Sequence, residues 1–83
     1  MTWSVYILKC RDKSLYTGIA RDVKKRLAEH KSGRGSKYVR SRKASKIVLI
    51  EAYRTKGMAL KREAEIKGYS RHKKLELLKS SSS

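Results

Sequence analysis

The alternation of apolar and polar residues at the start of the chain predicts a β-hairpin. A first strand is expected over Trp3–Cys10, a polar turn over Arg11–Ser14 and a second strand over Leu15–Ala20. Because side chains alternate along a strand, the first strand should present two apolar faces. One face carries Trp3, Val5 and Ile7, and the other carries Tyr6, Leu8 and Cys10.

A helix should follow the hairpin directly. Asp22 is a favourable N-cap for a helix over Val23–Lys31, and Gly33 is a suitable residue for ending it. Val23 and Leu27 are four residues apart, so they should share the face that packs inward.

A basic segment and an apolar segment come next. The segment Gly33–Lys46 shows no periodicity and is predicted to be a long loop, of the kind that is usually functional or disordered. The continuous apolar run within Ile47–Tyr53 predicts a central strand that is covered on both faces.

Two helices are expected in the last third of the chain. Thr55 can cap a helix over Lys56–Lys67, which should stop at the glycine that follows. Ser70 can cap a final helix, and the spacing of Leu75 and Leu78 would turn both of them inward.

The predicted order, ββα, loop, βαα, indicates an α+β fold with a small three-stranded antiparallel sheet flanked by helices. The chain of 83 residues is expected to form one domain over residues 1–79, with a disordered tail at 80–83. No apolar run reaches transmembrane length and the start of the chain lacks signal-peptide features, so a cytoplasmic location is expected.

The charge balance narrows the class of partner. The chain has 23 Lys and Arg residues against 7 Asp and Glu, a formal net charge of +16. Nucleic acid is the first candidate, because binding releases the counterions that condense on phosphates. An anionic membrane ranks last, since no predicted helix combines a broad apolar face with a basic one. The single Cys10 excludes an internal disulfide, and no Cys/His cluster has zinc-ligand spacing.

Two short motifs and three later residues carry a resemblance. Val5-Tyr6-Ile7 lies on the first predicted strand and Tyr16-Thr17-Gly18 on the second. Arg26 and His30 follow on the first helix, and Glu63 lies on the second. In this order and on these elements, the chain resembles the GIY-YIG nuclease superfamily over nearly its whole length.

The resemblance implies a metal-dependent endonuclease that hydrolyses phosphodiester bonds in DNA, as family members do in repair and recombination. It is closest to short stand-alone members, which carry a segment similar to Ser36-Lys37-Tyr38. It implies one Mg²⁺ or Mn²⁺ ion, held by Glu63. The implied catalytic residues are Tyr6, Tyr16, Arg26, His30 and Glu63.

The chain departs from the family pattern at one point. It contains no Asn, whereas many family members carry one late in the domain. The alternative function is therefore a non-catalytic nucleic-acid-binding module of the same fold. A protein partner that supplies specificity fits either function, and the sequence leaves the oligomeric state open.

Glu63 is an unusual carboxylate whether or not the resemblance holds. Ala59, Leu60 and Ile66 surround it on one predicted helix face, and a carboxylate in an apolar stripe is costly without a partner. Glu65 points away, where a surface ion pair is enough. A lone carboxylate with water ligands suits Mg²⁺, and the alternative is a Lys or Arg partner.

The spacing of Tyr6 and Tyr16 makes a prediction about register. They share a face only if the loop between their strands has an odd number of residues, as Arg11–Lys13 would have. A shared site therefore requires the odd register. One phenol would then align the attacking water and the other would hold the phosphate, and the alternative is simple cross-strand packing.

Arg26 and His30 are four residues apart on one predicted helix face. Arg26 would clamp phosphate oxygens and stabilise charge in the transition state, and its alternative is a surface pair with Asp22. His30 would relay a proton or orient a tyrosine, and its alternative is an interaction with the helix dipole.

The basic loop and the last helix are predicted to grip nucleic acid. Tyr38 could stack on a base, and Gly18 would let a ligand approach the strand closely. The alternative for the loop is a solvated, mobile segment. The predicted nucleic-acid-binding residues are Gly18, Arg34, Lys37, Tyr38, Arg40, Arg42, Lys43, Arg71, Lys73 and Lys74.

Overall fold

The computed structural model describes residues 2–81, and this part of the chain forms three strands and four helices. In chain order they are β1 (Trp3–Cys10), β2 (Leu15–Ala20), α1 (Val23–Lys31), α2 (Lys37–Arg42), β3 (Ala44–Tyr53), α3 (Lys56–Lys67) and α4 (Arg71–Ser81). The sheet is antiparallel with strand order β2-β1-β3. The predicted α+β class is therefore confirmed. None of the helices within residues 2–81 has the length and apolar character needed to span a bilayer.

Each helix begins at a residue whose side-chain oxygen satisfies a free backbone amide. Asp22, Ser36, Thr55 and Ser70 each accept a hydrogen bond from the N–H three residues later, over 3.1–3.2 Å. Three of these caps were predicted. At the other end of α1, the chain turns through Gly33, whose φ of +83° favours glycine.

Strand β1 supplies the centre of two apolar clusters, one on each face of the sheet. On the face covered by α3 and α4, the cluster comprises Val5, Ile7, Leu49, Ala59 and Ile66. On the face covered by α1 and α2, it comprises Tyr6, Leu8, Cys10, Ala20 and Val39. Full burial of each large aliphatic side chain stabilises the fold by about 1.5–3 kcal/mol.

The third strand is at the edge of the sheet, so the prediction of a central β3 was wrong. Leu49 is its one buried residue, and Ile50 is 56% exposed. The central strand is β1, which pairs with both neighbours. Both β1 and β3 contain a continuous apolar run, Val5–Leu8 in β1 and Ile47–Ile50 in β3. Such a run indicates a strand, but only the strand pairing determines which of the two lies in the centre of the sheet.

The predicted long loop contains a helix and part of a strand. Helix α2 occupies Lys37–Arg42, and β3 begins at Ala44 instead of Ile47. The helix is anchored by Val39, which is fully buried, while its other residues face outward or lie at the boundary. One buried residue in six produces no periodicity, so the apolar pattern could not reveal this helix.

The last helix is rotated relative to the prediction. Leu77 and Leu78 pack against the first cluster, whereas Leu75 is 45% exposed. Residues two apart are about 200° apart around a helix, so burying Leu77 turns Leu75 outward. Helix α4 runs through Ser80 and Ser81, and the last two residues of the tail predicted for 80–83 lie outside the described part of the chain.

Candidate active site

The hairpin brings the two motif tyrosines to the same face. Tyr6 pairs with Gly18, and Tyr16 pairs with Leu8, around a three-residue turn at Arg11–Lys13. The rings of the two tyrosines have centroids 6.3 Å apart. The odd register that a shared site requires is therefore confirmed.

Tyr6 lies at the centre of the site and is 1% exposed. Its hydroxyl is 2.8 Å from Nε2 of His30, and the guanidinium of Arg26 lies close enough to interact with it. Burial raises the pKa of Tyr6 to about 12, although the interaction with Arg26 acts in the opposite direction. The phenol is therefore protonated at neutral pH.

His30 is enclosed rather than exposed at the helix end. It is 2% exposed, and its pKa is lowered first by burial and then by the positive charge of Arg26. The imidazole is consequently neutral at pH 7. The imidazole therefore contacts the motif tyrosine of β1 in its neutral form.

Acid should destabilise the fold through His30. Because its pKa is lowered in the folded protein, the unfolded chain takes up the proton first as pH falls below about 6.5. Urea unfolding should show a smaller free energy of unfolding at about pH 5 than at about pH 7.5. This decrease should shrink in His30→Gln. The decrease should persist in His72→Gln, which removes an exposed imidazole paired with Glu76. If the free energy of unfolding of His30→Gln falls with pH as much as that of the wild type, His30 is not the group responsible.

An aromatic row leads from His30 to the surface. Tyr16 is half-buried and meets the imidazole edge-on, with centroids 5.4 Å apart. Tyr38 lies 5.9 Å beyond Tyr16, and the guanidinium of Arg42 lies 4.6 Å from the Tyr38 ring centroid. Arg42 is fixed in turn by a 2.8 Å ion pair with Asp12. Helix α2 thus covers one side of the tyrosine pair.

Glu63 lies on α3 in the neighbourhood of this cluster. Its side chain is 17% exposed, and its negative charge contributes to the raised pKa of Tyr6. Oε2 lies 3.3 Å from Nζ of Lys67, one helical turn later. The apolar stripe around Glu63 is narrower than predicted, because Leu60 is 43% exposed.

Two other carboxylates that contact α3, Glu65 and Glu51, are both paired with Arg62. Glu65 accepts a 2.5 Å hydrogen bond from Arg62, which also binds Glu51 at 2.9 Å. No group of three or more His, Cys, Asp or Glu side chains converges within residues 2–81. If Glu63 is the ligand, a single carboxylate fits an ion such as Mg²⁺, which keeps most of its water ligands and binds substrate phosphates.

The basic residues of α2 and its flanks form what we term the α2 basic surface: Arg34, Lys37, Arg40, Arg42 and Lys43. Arg40 and Lys43 line a cavity of about 650 Å³ together with Arg11 and Lys31. The sequence reasoning missed these last two residues. Arg11 reaches the cavity because its backbone N–H donates to the carbonyl of Lys43, a contact across 32 positions that leaves no local signal.

The predicted nucleic-acid-binding residues of the last helix lie in different surroundings. Arg71 donates a 3.1 Å hydrogen bond to the carbonyl of Lys13, so it reaches the turn between β1 and β2. Lys73 lies 4.3 Å from the ring centroid of Tyr69, which packs on the face covered by α3 and α4. The helix that carries Lys73 and Lys74 therefore lies across the sheet from α2.

Comparison with known proteins assigns this arrangement to a family. The sequence profile of the GIY-YIG catalytic domain matches residues 2–76. The chain belongs to the GIY-YIG family. GIY-YIG domains are typically nucleases, which act on nucleic acid and generally use divalent metal ions. Nuclease chemistry is therefore the general class to which the site points.

Small GIY-YIG relatives match the chain over nearly their whole length. A UPF0213 protein of Staphylococcus aureus strain Mu3 is 55% identical over 75 residues, covering 90% of this chain and 92% of that protein. A UPF0213 protein of Staphylococcus saprophyticus is 51% identical over 74 residues, covering 89% and 90%.

Two solution NMR structures share the fold. A UPF0213 protein from Bacillus halodurans has a TM-score of 0.62 and 43% identity, covering 95% of this chain and 84% of that chain. A protein from E. faecalis has a TM-score of 0.66 and 33% identity, covering 99% and 88%.

Proposed function

We propose that this GIY-YIG domain is a metal-dependent endonuclease that hydrolyses phosphodiester bonds in DNA. The observation that supports it most is that His30 and Arg26 both lie at the hydroxyl of Tyr6, with the ring of Tyr16 edge-on to the imidazole beside them. These side chains come from two strands and a helix, and Glu63 approaches from a further helix.

Tyr6 and His30 act as a buried positioning pair in this proposal. Both are at least 98% buried, so they cannot meet a phosphate without opening of the site. With a pKa near 12, Tyr6 works as a neutral hydrogen-bonding group and not as a base. Its hydroxyl lies beside the guanidinium of Arg26, whose side chain is 36% exposed and 3.8 Å from the carboxylate of Glu29, a surface pair that phosphate oxygens could replace.

Tyr16 and Glu63 supply the remaining groups on the open side. Tyr16 is half-buried, so its hydroxyl is available to align an attacking water or to hold a phosphate oxygen. Glu63 would hold one Mg²⁺ or Mn²⁺ ion by its carboxylate. When bound, such an ion stabilises charge on the phosphoryl oxygens and lowers the pKa of a water ligand.

The α2 basic surface would hold the DNA backbone beside this site. Its cations flank Tyr38, which is 40% exposed and contacts both Tyr16 and Arg42. A backbone bound along α2 would therefore pass next to the tyrosine pair. Contacts of this kind position DNA and carry no base specificity, which a protein partner could add.

The salt dependence of DNA binding should report these contacts. Each lost phosphate contact lowers the slope of log Kd against log salt by about 0.9, so Arg40→Ala/Lys43→Ala should lower it by about 2. Fluorescence anisotropy with labelled duplex over a range of NaCl measures the slope. Lys61→Ala, an exposed cation on α3, should leave it unchanged. An unaltered slope in the double variant would exclude the cavity rim from the DNA interface.

Cleavage by the wild-type protein tests the function itself. Labelled single-stranded, duplex and branched DNA, and matching RNA, would be incubated with Mg²⁺, Mn²⁺ or EDTA. We expect DNA to be cut only with a divalent ion, which would fit a cytoplasmic role in repair or recombination. Tight binding without cutting under any condition would instead favour a nucleic-acid-binding module.

A further inference from the structure

Gly35 lies against the imidazole of His30 with no room for a side chain. A Cβ atom at this position would lie 2.0 Å from Nδ1 and 2.6 Å from Cε1 of the ring. Carbon atoms do not approach buried ring atoms this closely, so any other residue would displace the imidazole.

The need for glycine at this position is a matter of space and not of backbone conformation. Gly33, two residues earlier, has φ of +83°, where L-residues are strained, but a Cβ there would be 3.7 Å from its nearest neighbour, Arg40. Gly35 has no positive φ. A side chain at position 33 would therefore strain the backbone without touching His30, whereas a side chain at position 35 would clash with His30.

Helix α2 holds Gly35 in this place. Gly35 directly precedes Ser36, the residue that caps α2, and α2 is anchored by the buried Val39 in the cluster that contains Tyr6. The imidazole of His30 is thus enclosed between Gly35 on one side and the Tyr6 hydroxyl on the other.

The enclosure leaves the two imidazole nitrogens in different surroundings. Nε2 lies 2.8 Å from the hydroxyl of Tyr6, whereas the buried Nδ1 has no hydrogen-bond partner within the described residues. Within residues 2–81 the ring is thus held by its contact with Tyr6 at Nε2, and not by a hydrogen bond at Nδ1.

We propose that Gly35 is a positioning residue of the active site. Its missing side chain lets the segment between α1 and α2 lie against His30 and keep Nε2 of the imidazole in contact with the Tyr6 hydroxyl. This contact fixes the Tyr6 hydroxyl beside Arg26, whose guanidinium would then be oriented toward substrate. The catalytic consequence rests on the proposed nuclease function, and the structural part does not.

Imidazole ¹⁵N NMR of Gly35→Ala, with Gly33→Ala as the matched control, tests the structural part. In the wild type and in Gly33→Ala, the two ring nitrogens of His30 should have well-separated ¹⁵N shifts, one pyridine-like and one pyrrole-like, as expected of a single tautomer fixed by the contact with Tyr6. In Gly35→Ala this pattern should be lost, because the displaced ring leaves Tyr6. Retention of the wild-type pattern in Gly35→Ala would overturn the proposal.

A double-mutant cycle keeps the proposal testable if Gly35→Ala folds poorly. The substitution should lower Tm by roughly 5–20 °C in the wild type. In a His30→Ala background the clashing ring atoms are absent, so the same change should lower Tm far less. Equal losses in both backgrounds would show that Gly35 acts independently of His30, and would also overturn the proposal.

Cleavage rates complete the test. Gly35→Ala should cut DNA about 100-fold more slowly, as expected when a positioned group shifts by about 1 Å, while Gly33→Ala keeps most of its rate. If the wild type cuts nothing, the nuclease proposal fails, and the NMR and stability results still decide the role of Gly35.

Discussion

Replacing Glu63 with Gln should abolish DNA cleavage and leave DNA binding near the wild-type level. Glu63 is 17% exposed and pairs with Lys67 and not with an Arg, and its charge acts on Tyr6. The amide of Gln is a far weaker ligand for a divalent ion than this carboxylate. Loss of the charge stabilisation from the ion, several kcal/mol, should slow single-turnover cleavage by at least about 10³-fold.

Glu65→Gln is the control for this substitution. It lies on the same helix, is 51% exposed and pairs with Arg62, so its loss should leave cleavage unchanged. The pair between Glu63 and Lys67 is of the helical i,i+4 type, worth about 0.3–0.5 kcal/mol, and Tm should hardly change in Glu63→Gln. Wild-type cleavage by Glu63→Gln would remove Glu63 from the metal site.

Replacing Tyr6 with Phe should slow cleavage about 100-fold and destabilise the fold. The ring would still fill the core, but His30 and Arg26 would lose the hydroxyl that holds them. A buried polar group left without its partner costs about 1–3 kcal/mol, so thermal unfolding should shift down by several degrees. Single-turnover cleavage and calorimetry measure the two effects.

Tyr53→Phe is the matched control for Tyr6→Phe. Tyr53 donates a 2.9 Å hydrogen bond to Glu51, next to the face of the sheet covered by α3 and α4, and Glu51 keeps its bonds to Arg62. We expect a small loss of stability and normal cleavage. If both variants cut DNA at the wild-type rate, the Tyr6 hydroxyl does not position the active site.

Local sequence signals predicted much of the fold. The strand alternation placed Val5 and Ile7 opposite Tyr6, and the caps at Asp22, Thr55 and Ser70 placed three helix starts. Such signals work because capping and strand alternation depend on neighbouring residues alone. The register of the hairpin was left open by these local signals, and the odd register was required only by a shared site for Tyr6 and Tyr16.

Features set by contacts between distant residues could not be predicted in this way. The edge position of β3 depends on how β1 pairs, and α2 exists because Val39 finds a place in the core. Exposure of Leu75 and Leu60 follows from small rotations of helices against the sheet. None of these has a periodic signature in the sequence.

The candidate site shows the same division. The motif residues were named from their order, and the structure brings Tyr6, Tyr16, Arg26 and His30 together with Glu63 nearby. The sequence did not reveal that Tyr6 and His30 are buried, because burial depends on α2 covering them. It also gave no sign of Gly35, whose importance lies in a contact with the ring of His30 and not in a turn.

The most direct test of the nuclease proposal is single-turnover DNA cleavage by the wild type as Mg²⁺ is titrated from zero in a chelated buffer. We predict no cleavage in EDTA and a rate that rises with Mg²⁺ and saturates, while DNA binding measured in EDTA persists. Cleavage that is independent of the ion, or binding without cleavage at every Mg²⁺ concentration, would contradict the metal-dependent endonuclease proposed here.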